Sequence, residues 1–327
     1  MSEIRYNYLE DEYVIFAPER ARRPIENVCS IKDDIKTCPF CPGREGETTK
    51  TIFELRDKNG WKVRVFPNLF RVFSIETPPF VKVTDEKEVY GGFGAHEIIV
   101  ETPFHEREIY DRSIEELNDY VNVIYKRVTD LKKDKRISLI QVFKNKGAMA
   151  GASLVHPHTQ IIASHIVSKK RLNLIKRNVK TYKKEGVSLL KKEFQSEKLI
   201  VFENNDFKAV VPFASFYPFE IIIYDKDFRN FYDYDESRIS SFCSAFSEIM
   251  KRMKKTLGNF DFNLEFYIPL ANENFQTETF FQEIEKTEGF YLRIMPRLFF
   301  LAGYELSTGE RINPFLPEDV LGALNGS

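Results

Sequence analysis

One order of segments occurs twice in this chain and limits the fold more than any other feature. The first copy begins with a strand-like run at 96–101, His-Glu-Ile-Ile-Val-Glu. Ser113 can cap a following helix, with Glu116 completing a capping box. Ile114, Leu117, Val121, Ile124, Val128 and Leu131 then fall on one helical face. A strand at 137–143 comes next, then a glycine-rich loop at 146–152, then a strand around Gln160, Ile161 and Ile162. The second copy starts with a strand at 219–224. Asp235 can cap its helix, with Ile239, Phe242, Phe246, Ile249 and Met253 on one face, and strands at 262–267 and 291–295 close it. Strand, helix, strand, strand, twice over, predicts a duplicated α+β unit with two mainly antiparallel sheets and helices packed on them. The halves are expected at 1–166 and 201–327. Between them, 167–200 is Lys-rich and carries Leu172, Ile175, Val179 and Tyr182 at helical spacing, which reads as a connecting helical segment.

A chain of 327 residues with 43% hydrophobic residues can bury cores of this size, and its 30 Phe and 15 Tyr suit aromatic-packed sheets. Lys and Arg number 48 against 49 Asp and Glu, so the molecule has no overall polyanion-binding character. The basic run at 132–136 reads as a solvated helix end, and no nucleic-acid partner is expected. No apolar run follows the first basic residues and no stretch of about 18 apolar residues occurs, so neither a signal peptide nor a membrane span is expected. Four Cys in this length do not form a disulfide framework pattern. The cytoplasm is the expected location.

Two constellations carry chemistry. Cys38-Pro39-Phe40-Cys41 can present two thiolates to one tetrahedral ion. Alone it leaves open a redox pair or two unliganded thiols, although no thioredoxin-like context surrounds it. A zinc ion would need two more ligands, and the chain holds five His. His156 lies beside the glycine loop. His105 follows a strand end after Pro103, where a surface histidine is the plainer reading.

The second constellation is His156-Pro157-His158-Thr159-Gln160. Residues two apart in an extended chain share a face, so His156, His158 and Gln160 are expected on one side. Upstream stand Asn145, Gly147, Gly151 and Ser153, and glycines let backbone N–H groups approach phosphate oxygens. A neutral imidazole is a good nucleophile toward phosphorus once an acceptor holds its other nitrogen. The Gln160 amide can donate to a phosphate oxygen as charge develops. The competing reading is a buried His-Pro-His strand with structural roles.

These segments together resemble the galactose-1-phosphate uridylyltransferase family, the transferase branch of the histidine-triad superfamily. The likeness rests on Asn145-Lys146-Gly147, Gly151-Ala152-Ser153 and His156 to Gln160. It extends to the Cys38–Cys41 pair, the runs 92–97 and 101–105, the N-terminal 17–24 and the C-terminal 295–305, nearly the whole chain. The resemblance implies a duplicated histidine-triad-like fold. It implies one structural Zn²⁺ on Cys38, Cys41, His105 and His156, and His158 as nucleophile, held by the His156 carbonyl. Gln160 and Ser153 would contact phosphates within the Gly151 loop, Asn145 the phosphate nearest the nucleoside, and Asn68 the nucleoside. Arg20, Arg23, Tyr304 and Glu305 would close a hexose-phosphate pocket, partly across a homodimer interface.

Departures from the family pattern are also present. Thr159 stands where Gly is usual, and Asn68-Leu69-Phe70 where Asn-Asp-Phe is usual. Both changes also occur in relatives similar to the plant ADP-glucose phosphorylase. A second metal site of some family members would use His-x-His where this chain has Tyr291 and Arg293, and is not expected here.

The favoured reading is ping-pong nucleotidyl transfer between a nucleotide sugar and a hexose 1-phosphate, with UDP-glucose and galactose 1-phosphate as the first pair. The alternatives are an ADP-glucose phosphorylase-like adenylyltransferase, a histidine-triad nucleotide hydrolase, or a nucleotide-binding zinc protein without turnover.

Overall fold

The structure is a computed structural model that describes residues 2–22, 31 and 34–326. Strands β1 (Glu3–Asn7) and β2 (Glu12–Phe16) form a hairpin, as do β3 (Phe53–Asp57) and β4 (Gly60–Pro67), and β5 (Val81–Thr84) and β6 (Lys87–Tyr90). Strand β7 (Gly94–Val100), helix α1 (Ile114–Lys132), β8 (Leu139–Lys146) and β9 (His158–Ser164) follow, then helices α2 (Lys169–Glu185) and α3 (Leu189–Ser196). Next come β10 (Ile200–Glu203), β11 (Phe207–Val210), β12 (Ile221–Asp225), helix α4 (Glu236–Leu257), β13 (Phe262–Tyr267), the single turn α5 (Ile284–Thr287) and β14 (Tyr291–Pro296). Helix α6 (Gly303–Thr308), β15 (Arg311–Asn313) and α7 (Pro317–Asn325) come last.

The duplication is visible in the strand order. One half reads β3-β4-β7-β9-β8 and the other β13-β14-β12-β11-β10, and the two join edge to edge through β8 and β13 into a ten-stranded antiparallel sheet. Read outward from the seam, each half runs fourth, fifth, third, second, first strand. The two expected half-sheets are thus continuous with each other, because Phe262 to Phe266 of β13 pairs with Lys146 to Val142 of β8.

That pairing moves β8 later than the expected 137–143 and places Asn145 inside the sheet.

Local chemistry explains the helices. The Ser113 hydroxyl accepts from Glu116 N at 3.2 Å while the Glu116 carboxylate accepts from Ser113 N at 2.8 Å, the capping box expected for α1. Asp235 caps α4 by accepting from Arg238 N at 2.7 Å. Both helices lie side by side on one face of the sheet, over Val65, Ile99, Val142 and Ile161 in one half and Ile223, Leu264, Phe266 and Ile294 in the other. Ile114, expected on the buried stripe, stays 39% exposed at the first turn. Tyr120 and Val123 are buried instead, because α4 covers α1 from the side.

The opposite face differs between the halves. In the second, α2 and α3 cover Val210, Ile222, Tyr224, Tyr267 and Tyr291 with Leu174, Leu190 and Phe194. In the first, the Cys38–Cys41 loop packs over Trp61, Phe66, Ile98 and Val100, and the end of β9 lies beside it.

Candidate active site and metal centre

Cys38, Cys41, His105 and His156 are all buried, and one ligand atom from each lies within 4.8 Å of the others. Cys41 Sγ stands 3.3 Å from His105 Nδ1 and 3.5 Å from His156 Nδ1, and Cys38 Sγ stands 3.7 Å from His156 Nδ1. Sulfur and nitrogen ligands of a tetrahedral zinc ion are about 3.6 Å apart. The His156 Nε2–H donates to the Thr102 carbonyl at 2.8 Å, so Nδ1 faces the sulfurs with its lone pair available. Burial holds this imidazole down to a pKa of about 4, keeping it neutral. Two thiols and two imidazoles in this arrangement fit a four-coordinate metal ion. Among the described residues, no other group of His, Cys, Asp and Glu gathers in this way.

His158 opens β9 and is buried. Its Nδ1–H donates to the His156 carbonyl at 2.8 Å, which leaves Nε2 as the nitrogen with a lone pair. Burial lowers its pKa, so the ring stays neutral. The ring of Phe40, from the cysteine loop, meets the His158 ring edge to face with centroids 5.3 Å apart. The cysteine loop therefore packs directly on this side chain. His156 precedes the strand and turns to the sulfurs, while His158 and Gln160 share a face of β9.

Gln160 is oriented by His96, whose Nε2 lies 2.8 Å from Gln160 Oε1. Val72 N–H points at His96 Nδ1, 3.4 Å away, which makes Nδ1 the acceptor and Nε2–H the donor to Gln160. With its oxygen held, Gln160 keeps its amide N–H groups for another acceptor. Asn68 lies beside this pair, its Nδ2 3.1 Å from His96 Nε2 and its Oδ1 accepting from Phe70 N.

Beneath β9, on the helix side, is a buried charge network. Thr159 donates to Glu101 at 2.6 Å and accepts from Tyr120 at 2.7 Å. Lys144 pairs with Glu101 and Glu108 at 3.0 and 3.2 Å, and Arg112 with Glu101 at 2.7 Å. Burial alone would raise Glu101, but Lys144 and then Arg112 pull it down to about 2, so it stays ionised. Thr159 thus faces away from His158 and anchors the strand.

The loop after β8 is shaped by the second half. Gly147 has φ +85°, and a Cβ there would lie 1.8 Å from the Asp261 carboxylate. Asp261 accepts from Met149 N at 2.9 Å. Asn263 donates to Asn145 Oδ1 at 2.8 Å and to the Ala150 carbonyl at 2.9 Å. Gly151, at φ +79°, closes the turn, and Ser153 follows it exposed.

The expected sugar-pocket residues are not gathered in one chain. Arg20 is exposed in the turn Pro18–Arg22 after β2, and α6 with Tyr304 and Glu305 precedes β15. Because β2 and β15 run parallel within the separate three-stranded sheet β1-β2-β15, these segments lie beyond its opposite ends. Glu305 accepts from Ala302 N at 3.0 Å and caps its own helix, and Tyr304 bonds Glu310. Arg23 lies outside the described residues.

Of the second-half residues, Tyr291 stacks on Tyr267 at 4.3 Å and Arg293 is buried between Glu10 and Glu220. Sequence reading assigned no role to His96, Glu101, Asp261 or Asn263. His96 and Glu101 did stand in family-like runs, and alternation with Ile98 and Val100 was a signal for the face of His96. Nothing local marks Asp261 or Asn263, which reach the loop across the seam.

A family model described as galactose-1-phosphate uridyl transferase, N-terminal domain, matches residues 1–168. The ADP-glucose phosphorylase of Arabidopsis thaliana is 32% identical over 329 residues, covering 97% of this chain and 91% of that protein. The galactose-1-phosphate uridylyltransferase of Thermotoga maritima is 26% identical over 327 residues, covering 98% and 96%. The crystal structure of the Arabidopsis thaliana ADP-glucose phosphorylase with bound ADP-glucose matches with a TM-score of 0.82 and 29% identity, over 100% of this chain and 99% of that one. No helix among the described residues is long and apolar enough to cross a membrane. With the family model spanning half the chain and the likeness to these relatives running through nearly all of it, the chain belongs to the galactose-1-phosphate uridylyltransferase family.

Proposed function

We propose that this protein is a hexose-1-phosphate nucleotidyltransferase working through a nucleotidyl-His158 intermediate, with UDP-glucose and galactose 1-phosphate as its first substrate pair. The observation that carries the reading is the His158 ring, whose Nδ1–H is tied to its own strand and whose Nε2 is left to attack, two residues from an oriented Gln160. Nε2 attacks the α-phosphorus and the bond to the hexose 1-phosphate oxygen breaks, the electron pair leaving with that oxygen. The ring becomes cationic, and the His156 carbonyl stabilises its Nδ1–H. Gln160 donates to a non-bridging oxygen, alongside the Gly151–Ser153 loop and Asn145. A second sugar phosphate then attacks phosphorus and the P–N bond breaks, restoring neutral His158. Asn68, on the other side, takes the nucleoside.

Zinc on Cys38, Cys41, His105 and His156 holds the loop carrying Phe40 and the residue that fixes His158, a structural role. Metal analysis tests the ligand set: about one zinc per chain is expected, lost in Cys38→Ala and His105→Ala, and full retention in either removes that residue from the set. A cytoplasmic homodimer is part of the reading. Arg20, Arg23, Tyr304 and Glu305 would complete the sugar pocket between subunits, which the separation of Arg20 from α6 within one chain supports.

Adenylyl transfer between ADP-glucose and phosphate is the second reading, favoured by Thr159, by Leu69-Phe70 and by the 32% identity to the Arabidopsis phosphorylase. Isotope exchange separates the two. Label moving from galactose 1-phosphate into UDP-sugar supports the first, and phosphate-dependent loss of ADP-glucose supports the second. Hydrolysis with water as sole acceptor at the full rate contradicts both.

A further inference from the structure

We infer that Arg297, from the second half, is the cation that receives the phosphate on the sugar side of the reacting phosphorus. This deepens the transferase reading and rests on it.

Val100 pairs with His158, Asn263 with Asn145, and Asn263 with Met295. The β8–β9 register reaches Lys144 opposite Thr159, and one residue further brings Asn145 opposite His158. Cross-strand partners share a face of a sheet. One row therefore runs Val100, His158, Asn145, Asn263, Met295 across five strands and across the seam. Arg297, two residues past Met295, turns its guanidinium back along this row, and Nη1 donates to Asn263 Oδ1 at 3.0 Å. The Tyr217 ring holds it from the other side, 5.2 Å from the centroid. Asn263 in turn donates to Asn145 and to the Ala150 carbonyl of the glycine loop. A single amide thus links the guanidinium to the loop.

Charge selects Arg297 over its neighbours. A nucleotide sugar brings a diphosphate, and a preorganised cation at the departing phosphate stabilises the charge that develops there. Lys144 is consumed by Glu101 and Glu108 on the far face of the sheet. Lys146 bonds Asn259 and pairs with Asp261. Arg293, on the strand that ends just before Arg297, is buried against Glu10 and Glu220. Arg297 is only half-buried, and no carboxylate lies within ion-pair distance of it among the described residues. Direction agrees. Asn68 and His96 lie on the β4–β7 side of His158, whereas Asn145, Asn263 and Arg297 lie on the β8–β14 side. A diphosphate that enters nucleoside first runs toward Arg297.

The test is calorimetric binding of glucose 1-phosphate and of inorganic phosphate to the full, metal-loaded protein. Wild type should bind glucose 1-phosphate. Arg297→Ala should weaken that binding about tenfold or more, the scale of a lost charge-assisted hydrogen bond. Arg297→Lys should recover part of the loss. Binding of the matching nucleoside monophosphate should stay within about twofold in both variants, which also reports an intact fold. Glucose 1-phosphate binding unchanged in Arg297→Ala, or lost equally in Arg297→Lys, overturns the inference. Arg297-dependent binding without any nucleotide adduct on His158 would leave the inference standing and defeat the transferase reading. A His158 adduct forming at the wild-type rate in Arg297→Ala, with unchanged binding, would do the reverse.

Discussion

The same face of the same five-stranded scaffold has two fates in this molecule. In the first half it carries His158 and Gln160 at the start of β9, beside a loop whose two cysteines cluster with two histidines. In the second half, α2 and α3 close over it, Tyr291 stacks on Tyr267, and Arg293 is locked between Glu10 and Glu220. The backbone layout cannot explain the difference, since strand order matches half for half. What differs is the side chains on one face of one strand, and whether helices or the Cys38–Cys41 loop cover them. The second half still serves the first, through Asp261 and Asn263 at the seam.

Variants that act on one half should break this comparison differently. The largest effect is expected from His158→Gly, which should lower turnover roughly 10⁴-fold or more while zinc content and melting temperature stay near wild type. Added imidazole should restore part of the rate by filling the vacated space.

Next is Arg293→Met in the second half, which leaves buried Glu220 without its cation and Glu10 with Lys170 alone. Stability should fall by about 3–5 kcal/mol in denaturant titration, with kcat within about threefold of wild type. A pH signature belongs to the same site. Burial would raise Glu10, but Arg293 and Lys170 hold it at about 2 against an ordinary 4.5. Because the folded value is depressed, the stabilisation is complete above pH 4.5 and is lost as pH falls toward 2. Arg293→Met should flatten that loss in acid unfolding curves.

Gln160→Ala should slow transfer by a factor on the order of a hundred, the cost of one donor to the developing charge. The smallest effect is expected from His96→Ala, about tenfold, through loss of the bond that orients Gln160. The double variant His96→Ala/Gln160→Ala should be no slower than Gln160→Ala alone. Additive losses would show that His96 acts on something other than Gln160.

Much of this was legible in the sequence because its signals are local. The capping residues Ser113 and Asp235 and the helical stripes they introduce concern neighbours in the chain, and so does the His-x-His-x-Gln alternation. The cysteine pair was legible from its own spacing, but its grouping with the two histidines was legible only through the family likeness, since His105 and Cys41 are 64 residues apart. The hairpins β3–β4 and β10–β11 carried no periodicity strong enough to read, and the joining of the half-sheets is a long-range pairing of Asn145 with Asn263. The Thr159 substitution looked like a change beside the nucleophile. Its hydroxyl lies under the strand, bonded to Glu101, because adjacent residues of a strand face opposite ways.

The central claim is that His158 carries the nucleotide. Rapid mixing of excess enzyme with α-phosphorus-labelled nucleotide sugar, followed by peptide mapping, tests it directly. Label should appear on the peptide containing His158 within a single turnover. It should be labile to acid and stable to base, as a phosphoramidate is, and pass to added hexose 1-phosphate. Label on any other residue, or none under these conditions, would contradict the account and leave direct displacement or hydrolysis in its place.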